Sequence, residues 1–168
     1  MMGKRWAIAV AVLLPLSLVA KRGSAADKAE AKGEKTDYKV YKSYFVSNKA
    51  GLKGESSYLA FADQKSLDKI FRPAPPNIGQ KREYLPRNVF ESQIVVAVVK
   101  QGNKMWEYKI EKVTVDKDTL YVQYTTTSKD TPTATFASPL IVAVDKGKIA
   151  SVVFVEDGAQ AGTAKIDK

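Results

Sequence analysis

Six consecutive apolar residues, Ile94-Val95-Val96-Ala97-Val98-Val99, constrain this chain more than any other feature. The run has the length of a strand and is rich in β-branched residues. It offers no polar face to water, so it predicts a strand buried on both faces. The turn Gln101-Gly102-Asn103 follows it.

The segments after that turn read as strands. Trp106, Tyr108 and Ile110 alternate, and Val113 and Val115 continue with the opposite parity. The switch predicts a β-bulge near Glu111-Lys112, because one extra residue moves every later side chain to the other face. Asp116-Lys117-Asp118 marks a hairpin turn, and Leu120, Val122 and Tyr124 alternate beyond it. Residues 125–135 are Thr-rich, with Pro132, and read as an exposed strand edge and loop. Leu140–Val144 and Ile149–Val155 give two more strands, joined by Asp145-Lys146-Gly147-Lys148.

Upstream, Tyr38–Val46 is aromatic and β-branched and predicts a strand. Gly51 and Gly54 mark a turn before a second strand around Tyr58, Leu59 and Phe61. Asp63 stands where a helix cap belongs. Leu67, Ile70 and Phe71 follow at helical spacing, which predicts a short helix over 64–71 stopped by Pro73. Residues 72–88 carry Pro73, Pro75, Pro76 and Pro86 and read as one long irregular loop, rich in Arg72, Lys81, Arg82 and Arg87. The sum is mainly β: an antiparallel sandwich or barrel-like domain of about seven strands, built on sequential hairpins, with one short helix.

The amino terminus reads as a secretory signal. Met1-Met2-Gly3-Lys4-Arg5 precedes an apolar stretch from Trp6 to Ala20, and Gly23-Ser24-Ala25-Ala26 supplies the small residues of a cleavage site. The apolar stretch is short for a bilayer span and contains Pro15. Cleavage after Ala26 gives four parts: a signal peptide over 1–26, a flexible linker over 27–36, one β-rich domain over 37–157 and a flexible tail over 158–168. The alternative is a membrane tether made by an uncleaved amino-terminal segment. Either places the domain outside the cytoplasm, in the periplasm or beyond.

Composition then limits the chemistry. The 168 residues include no His and no Cys. Serine–histidine and cysteine–histidine catalysis, Cys/His zinc sites and disulfides are all excluded. Removing residues 1–26 removes four basic residues, leaving 23 Lys and Arg against 18 Asp and Glu, a charge of +5. That is mild, and no run of five basic residues occurs, so a dedicated nucleic-acid binder is not expected. No calcium-loop pattern is present and no cofactor is expected.

The remaining motifs are weak. Ser66-Leu67-Asp68-Lys69 has the S-x-x-K spacing of serine–lysine acyl enzymes, without the K-T-G and S-D-N elements that complete such a site. Glu91, Glu107, Glu111, Asp116, Asp118, Glu156 and Asp157 are carboxylates of the kind glycoside hydrolysis uses, with no context that selects a pair. Trp106 and Tyr108 offer stacking surfaces, but alternating aromatics more often pack across strands, and Trp106, Tyr108 and Ile110 are expected to point inward together.

Residues 90–156 resemble the PrcB carboxy-terminal-domain family, named for a subunit of a secreted bacterial protease complex. The matching features are Phe90 and the run Ile94–Val99, then Gly102, Tyr108-Lys109-Ile110, Val113 and Leu120-Tyr121-Val122. The Thr-rich segment, Ser138-Pro139-Leu140-Ile141-Val142-Ala143-Val144 and Val152-Val153-Phe154 complete them. Where the family often has Thr-Gly-Gly-Tyr, this chain has Met105-Trp106-Glu107-Tyr108. The resemblance implies a non-enzymatic, exported β domain that stabilises or binds another protein.

The expected contact edge comprises the turn 101–107 and the loops 72–88 and 125–135. The expected partner-binding residues are Trp106, Arg82, Arg87, Lys81, Met105 and Thr127. The alternatives are a carboxylate-dependent hydrolase of the cell envelope and an electrostatic binder of anionic polymer.

Overall fold

A computed structural model describes residues 33–75 and 82–166 of the chain. The expected signal peptide, most of the linker, Lys81 and the last two residues of the tail lie outside the described residues. The described residues contain eleven strands and two short helices, and the fold is mainly β without closing into a barrel.

Strands β6 (Gln93–Gly102) and β9 (Phe136–Asp145) form the centre of a four-stranded antiparallel sheet. Strands β2 (Tyr38–Val40) and β4 (Ser56–Phe61) flank them, in the order β2-β9-β6-β4. A second sheet holds β1 (Glu34–Lys35), β7 (Lys104–Asp116), β8 (Thr119–Asp130), β10 (Ser151–Glu156) and β11 (Ala159–Lys165), in the order β1-β7-β8-β10-β11. A small pair, β3 (Tyr44–Val46) with β5 (Phe71–Pro73), makes a third layer. It is joined there by helix α1 (Gln64–Ile70) and the four-residue helix α2 (Val89–Ser92).

This layering explains the apolar run. Ile94, Val96 and Val98 face the second sheet and pack with Val113, Leu120, Val122, Val152 and Phe154. Val95, Ala97 and Val99 face the other way and pack with Phe61 of β4, with Tyr41 of the β2–β3 connection, and with Leu67 and Phe71 of the third layer. β6 is buried from both sides because two separate layers cover its sheet.

Local signals account for the elements around it. The Asp63 side chain caps α1, accepting from the Ser66 backbone N–H at 2.9 Å and from the Ser66 hydroxyl at 2.7 Å. The expected bulge is present: the β7–β8 register shifts between Ile110 and Lys112.

Several expectations need correction. β8 extends through the Thr-rich segment to Asp130, since backbone pairing with β7 continues from Tyr124 to the hairpin end. Tyr38–Val46 is not one strand: β2 pairs with β9 and β3 pairs with β5, so the chain changes layers at Tyr41–Ser43. The loop over 72–88 begins as β5 and ends in α2. β1 draws the end of the expected linker into the sheet, where edge pairing requires backbone groups rather than apolar side chains. The sequential-hairpin reading also fails at one step. β9 belongs to the first sheet, so the chain crosses over and back between β8 and β10, and those two strands run parallel.

The expected tail is strand β11. Asp157 and Gly158 both have positive φ, +51° and +82°, and close a two-residue hairpin between Glu156 and Ala159. Positive φ at both loop residues matches the right-handed twist of the flanking strands. β11 then lies against β4, with Gly162 beneath the Tyr58 ring. None of the described helices is long and apolar enough to cross a membrane.

Candidate functional site

Trp106 lies near the start of β7, three residues beyond the β6–β7 turn. The residues Met105–Tyr108 are strand rather than turn, because β7 pairs with β8 from Lys104 onward. Trp106, Tyr108 and Ile110 are half-buried on the face toward the other sheet, as their parity predicts. Met105, Glu107 and Lys109 occupy the opposite, exposed face. Met105 is 44% exposed there, and Thr127, opposite Glu107 in the register, shares that face. The strand pleat therefore separates Trp106 from Met105 and Thr127.

Three contacts hold Trp106. Its backbone N–H donates to Ser138 Oγ of β9 at 3.1 Å. The Lys100 ammonium stands 4.1 Å from the ring centroid, and the Lys104 ammonium stands 5.8 Å away. A cation that close to an indole face is attracted by the ring quadrupole. Tyr108, two residues on, donates its hydroxyl proton to the Ser138 carbonyl at 2.7 Å.

Lys100 is the residue that sequence reasoning missed. It ends the apolar run with the parity of Ile94, Val96 and Val98, so its side chain enters the space between the sheets. Its ammonium donates to Glu156 Oε1 at the end of β10. Thr126 Oγ1 donates to the same oxygen at 3.0 Å, and the Tyr124 hydroxyl donates to Glu156 Oε2 at 3.2 Å. The sequence signal was a charge directly abutting an apolar run at two places, Lys100 after Val99 and Glu156 after Val155.

Burial dominates the electrostatics of the surrounding phenols. It pushes Tyr124 and Tyr108 far above the ordinary phenol range, and the Glu156 charge pushes both further up. Burial likewise raises Tyr58. These groups stay protonated and serve as hydrogen-bond donors. Glu156 accepts from Lys100, Thr126 and Tyr124 at once and anchors these three side chains at the end of β10.

Trp106 also forms the wall between two clefts. The larger, about 910 Å³, is bordered by Glu55, Lys100, Asn103, Lys104, Trp106 and Asp130. The smaller, about 280 Å³, lies between β7 and β9 and has Val40, Tyr108, Pro139 and Leu140 in its lining, with Lys42 and Glu107 beside them. Lys104 and Asp130 face each other at 3.9 Å, both exposed. Among the described residues, no cluster of three or more Asp or Glu is arranged to hold a metal ion.

Arg82 and Arg87 are exposed and belong to the third layer. Their segment is fixed by the Glu83 N–H donating to Ser43 Oγ at 3.0 Å and the Leu85 N–H donating to Tyr44 Oη at 3.1 Å. Neither arginine lines the clefts beside Trp106. The expected contact edge thus resolves into three places: Trp106 with its clefts, Met105 with Thr127 on the outer sheet face, and the arginines on the third layer. Compared with protein-family models, curated proteins and solved structures, the chain finds no match, so its resemblance to the PrcB carboxy-terminal domain rests on the residue pattern alone.

Proposed function

We propose that this chain is an exported, non-enzymatic module that binds and stabilises another exported protein through the end of the sandwich around Trp106. The observation that carries the reading is the placement of Trp106. It is a half-buried aromatic, fixed by Ser138 and Lys100, standing between two open clefts. Tryptophan and tyrosine dominate the energetics of protein interfaces when they are rigidly held in such positions. The signal-like amino terminus supports export, and the PrcB-like pattern supports a protease complex as the setting.

The hydrolase reading draws on a different pair of carboxylates from those the sequence offered. Glu55 and Asp130 both border the larger cleft. Both are exposed. The general acid of a glycosidase sits in an apolar surround, and these exposed positions do not provide one. That favours binding over turnover.

Cross-linked co-purification tests the proposal, using the full chain with a carboxy-terminal tag and a Trp106→Ala bait beside it. One dominant protein partner, lost with the variant, is the expected result. A partner recovered equally by both baits sinks the placement at Trp106.

A further inference from the structure

Independently of the Trp106 site, we infer that the outer face of the third layer docks on an anionic lipid bilayer, with the Phe45 ring at the lipid surface and the cations around it making the electrostatic contact.

The charge of the chain is concentrated there. Segments 41–54 and 62–92 supply this layer and its connections. They hold nine of the 23 basic residues that follow residue 26, and four of the 18 acidic ones. The remainder of residues 27–168 holds 14 of each, so the whole positive excess belongs to the third layer. Eight of the nine basic residues lie among the described ones, and all eight are exposed. None of the eight stands within ion-pair distance of an acid among the described residues.

Packing leaves these charges on the outside. Leu67 and Phe71 are fully buried on the inner side of the layer, and Leu52, Ile70, Leu85 and Phe90 pack into the same cluster. Phe45 does not join them. It lies on β3 between Tyr44 and Val46, which pack inward, and strand alternation turns it outward, where it is 45% exposed. Arg72 stands opposite it in the β3–β5 register, so the ring and the guanidinium share one face. The segment that carries Arg82 is fixed to the end of this pair. The Glu83 N–H donates to Ser43 Oγ at 3.0 Å, and the Tyr84 hydroxyl donates to the Ala74 carbonyl at 2.7 Å.

The spread of the cations favours a bilayer over an acidic polypeptide. They run over loops, strand and helix from Lys42 to Arg87, and Phe45, Arg72, Arg82 and Arg87 line neither cleft beside Trp106. A lipid surface needs no cleft. It takes dispersed cations, each worth about fivefold in partitioning. It also admits an apolar ring at the level of the headgroups. The amino-terminal segment, read as an export signal, would release the domain beside such a surface.

Co-sedimentation of the full chain with vesicles tests the inference. The reading is the difference between vesicles of equal parts phosphatidylcholine and phosphatidylglycerol and vesicles of phosphatidylcholine alone, which removes what the apolar amino-terminal stretch contributes to both. Stronger binding to the anionic vesicles is expected, falling at least about tenfold between about 50 and about 500 mM NaCl. The double variant Arg82→Gln/Arg87→Gln should lower it at least about fivefold. Phe45→Ser should lower it at least about threefold. Lys109→Gln/Lys129→Gln removes the same charge from the outer face of the second sheet, on the far side of the sandwich. That variant should change binding less than about twofold, since screening isolates a face so distant. In the unmodified protein, a spin-labelled lipid should broaden the amide signals of residues 43–47, 71–74 and 82–87, which keeps the test valid if a variant folds poorly. Equal binding to both kinds of vesicle, equal losses in the two charge variants or broadening elsewhere would overturn the inference. So would equally strong binding to soluble poly-glutamate that ignores Phe45→Ser, since the ligand would then be an acidic polypeptide.

Discussion

Lys100 of β6 and Glu156 of β10 form an ion pair that ties the two large sheets together at the cleft end of the sandwich. Their side chains are only 11% and 16% exposed. The same ammonium lies over Trp106, so the pair also fixes the ring that the proposed function depends on.

Breaking one half of that pair should cost more than removing both. Lys100→Met leaves the Glu156 carboxylate without its cation, and Glu156→Gln leaves the ammonium without its counter-charge. Each single change is expected to lower unfolding free energy by about 3 kcal/mol, because an uncompensated buried charge remains. The double variant should recover at least about 1 kcal/mol relative to additivity. Urea unfolding of the four proteins measures this cycle. Strict additivity would mean that the contact contributes no coupling between the sheets.

Alkaline pH should destabilise the fold through Tyr108 and Tyr124. Burial raises both phenols above the ordinary value of 10.0. Above pH 10 the unfolded chain loses these protons while the folded chain keeps them. The stabilisation is therefore complete below pH 10 and declines as pH rises toward the folded values. The slope approaches about 1.4 kcal/mol per pH unit for each phenol. Urea midpoints at about pH 8 and about pH 11 should show the decline, and Tyr124→Phe should flatten it. A midpoint unchanged over that interval would contradict the burial of these hydroxyls.

Gly162 tests whether β11 is a true part of the sandwich. A Cβ at this position would overlap the Tyr58 ring, which is itself packed on Phe154 at 5.4 Å between centroids. Gly162→Ala is expected to cost about 1–3 kcal/mol, as overpacking of a filled site does. The cost should shrink in a Tyr58→Ala background. If Gly162→Ala is neutral in thermal unfolding, β11 does not hold against β4.

Leu67 tests the third layer. It is fully buried on α1 and packs in the cluster that contains Val95, Val99 and Phe71. Leu67→Ala should cost about 2–5 kcal/mol. The unfolding transition should stay single, since the layer shares its core with β6 and β9. A separate early transition would show that the layer unfolds on its own.

How much was legible beforehand varies by element, and the reason is local. The α1 cap at Asp63 and the bulge between Ile110 and Lys112 were readable because each depends on neighbours in the chain. The Asp157-Gly158 turn carried an equally local signal. It was outweighed by the small residues of Ala159–Lys165, whose pairing with β10 uses backbone groups that every residue has. At the site, parity placed Trp106 inward but said nothing of what it would meet.

The amino-acid order by itself determined the β class, the double burial of Ile94–Val99 and the inward face shared by Trp106, Tyr108 and Ile110. Those follow from alternation along a single strand and from the absence of any polar face in the run. Only the tertiary structure decided that β10 lies parallel to β8, that the third layer covers the second face of β6, and that Lys100 meets Glu156. Each of these joins residues far apart in the chain. Backbone pairing and the burial of charge fix such contacts only after the sheets have stacked, because a strand's own sequence selects its faces and not its neighbours.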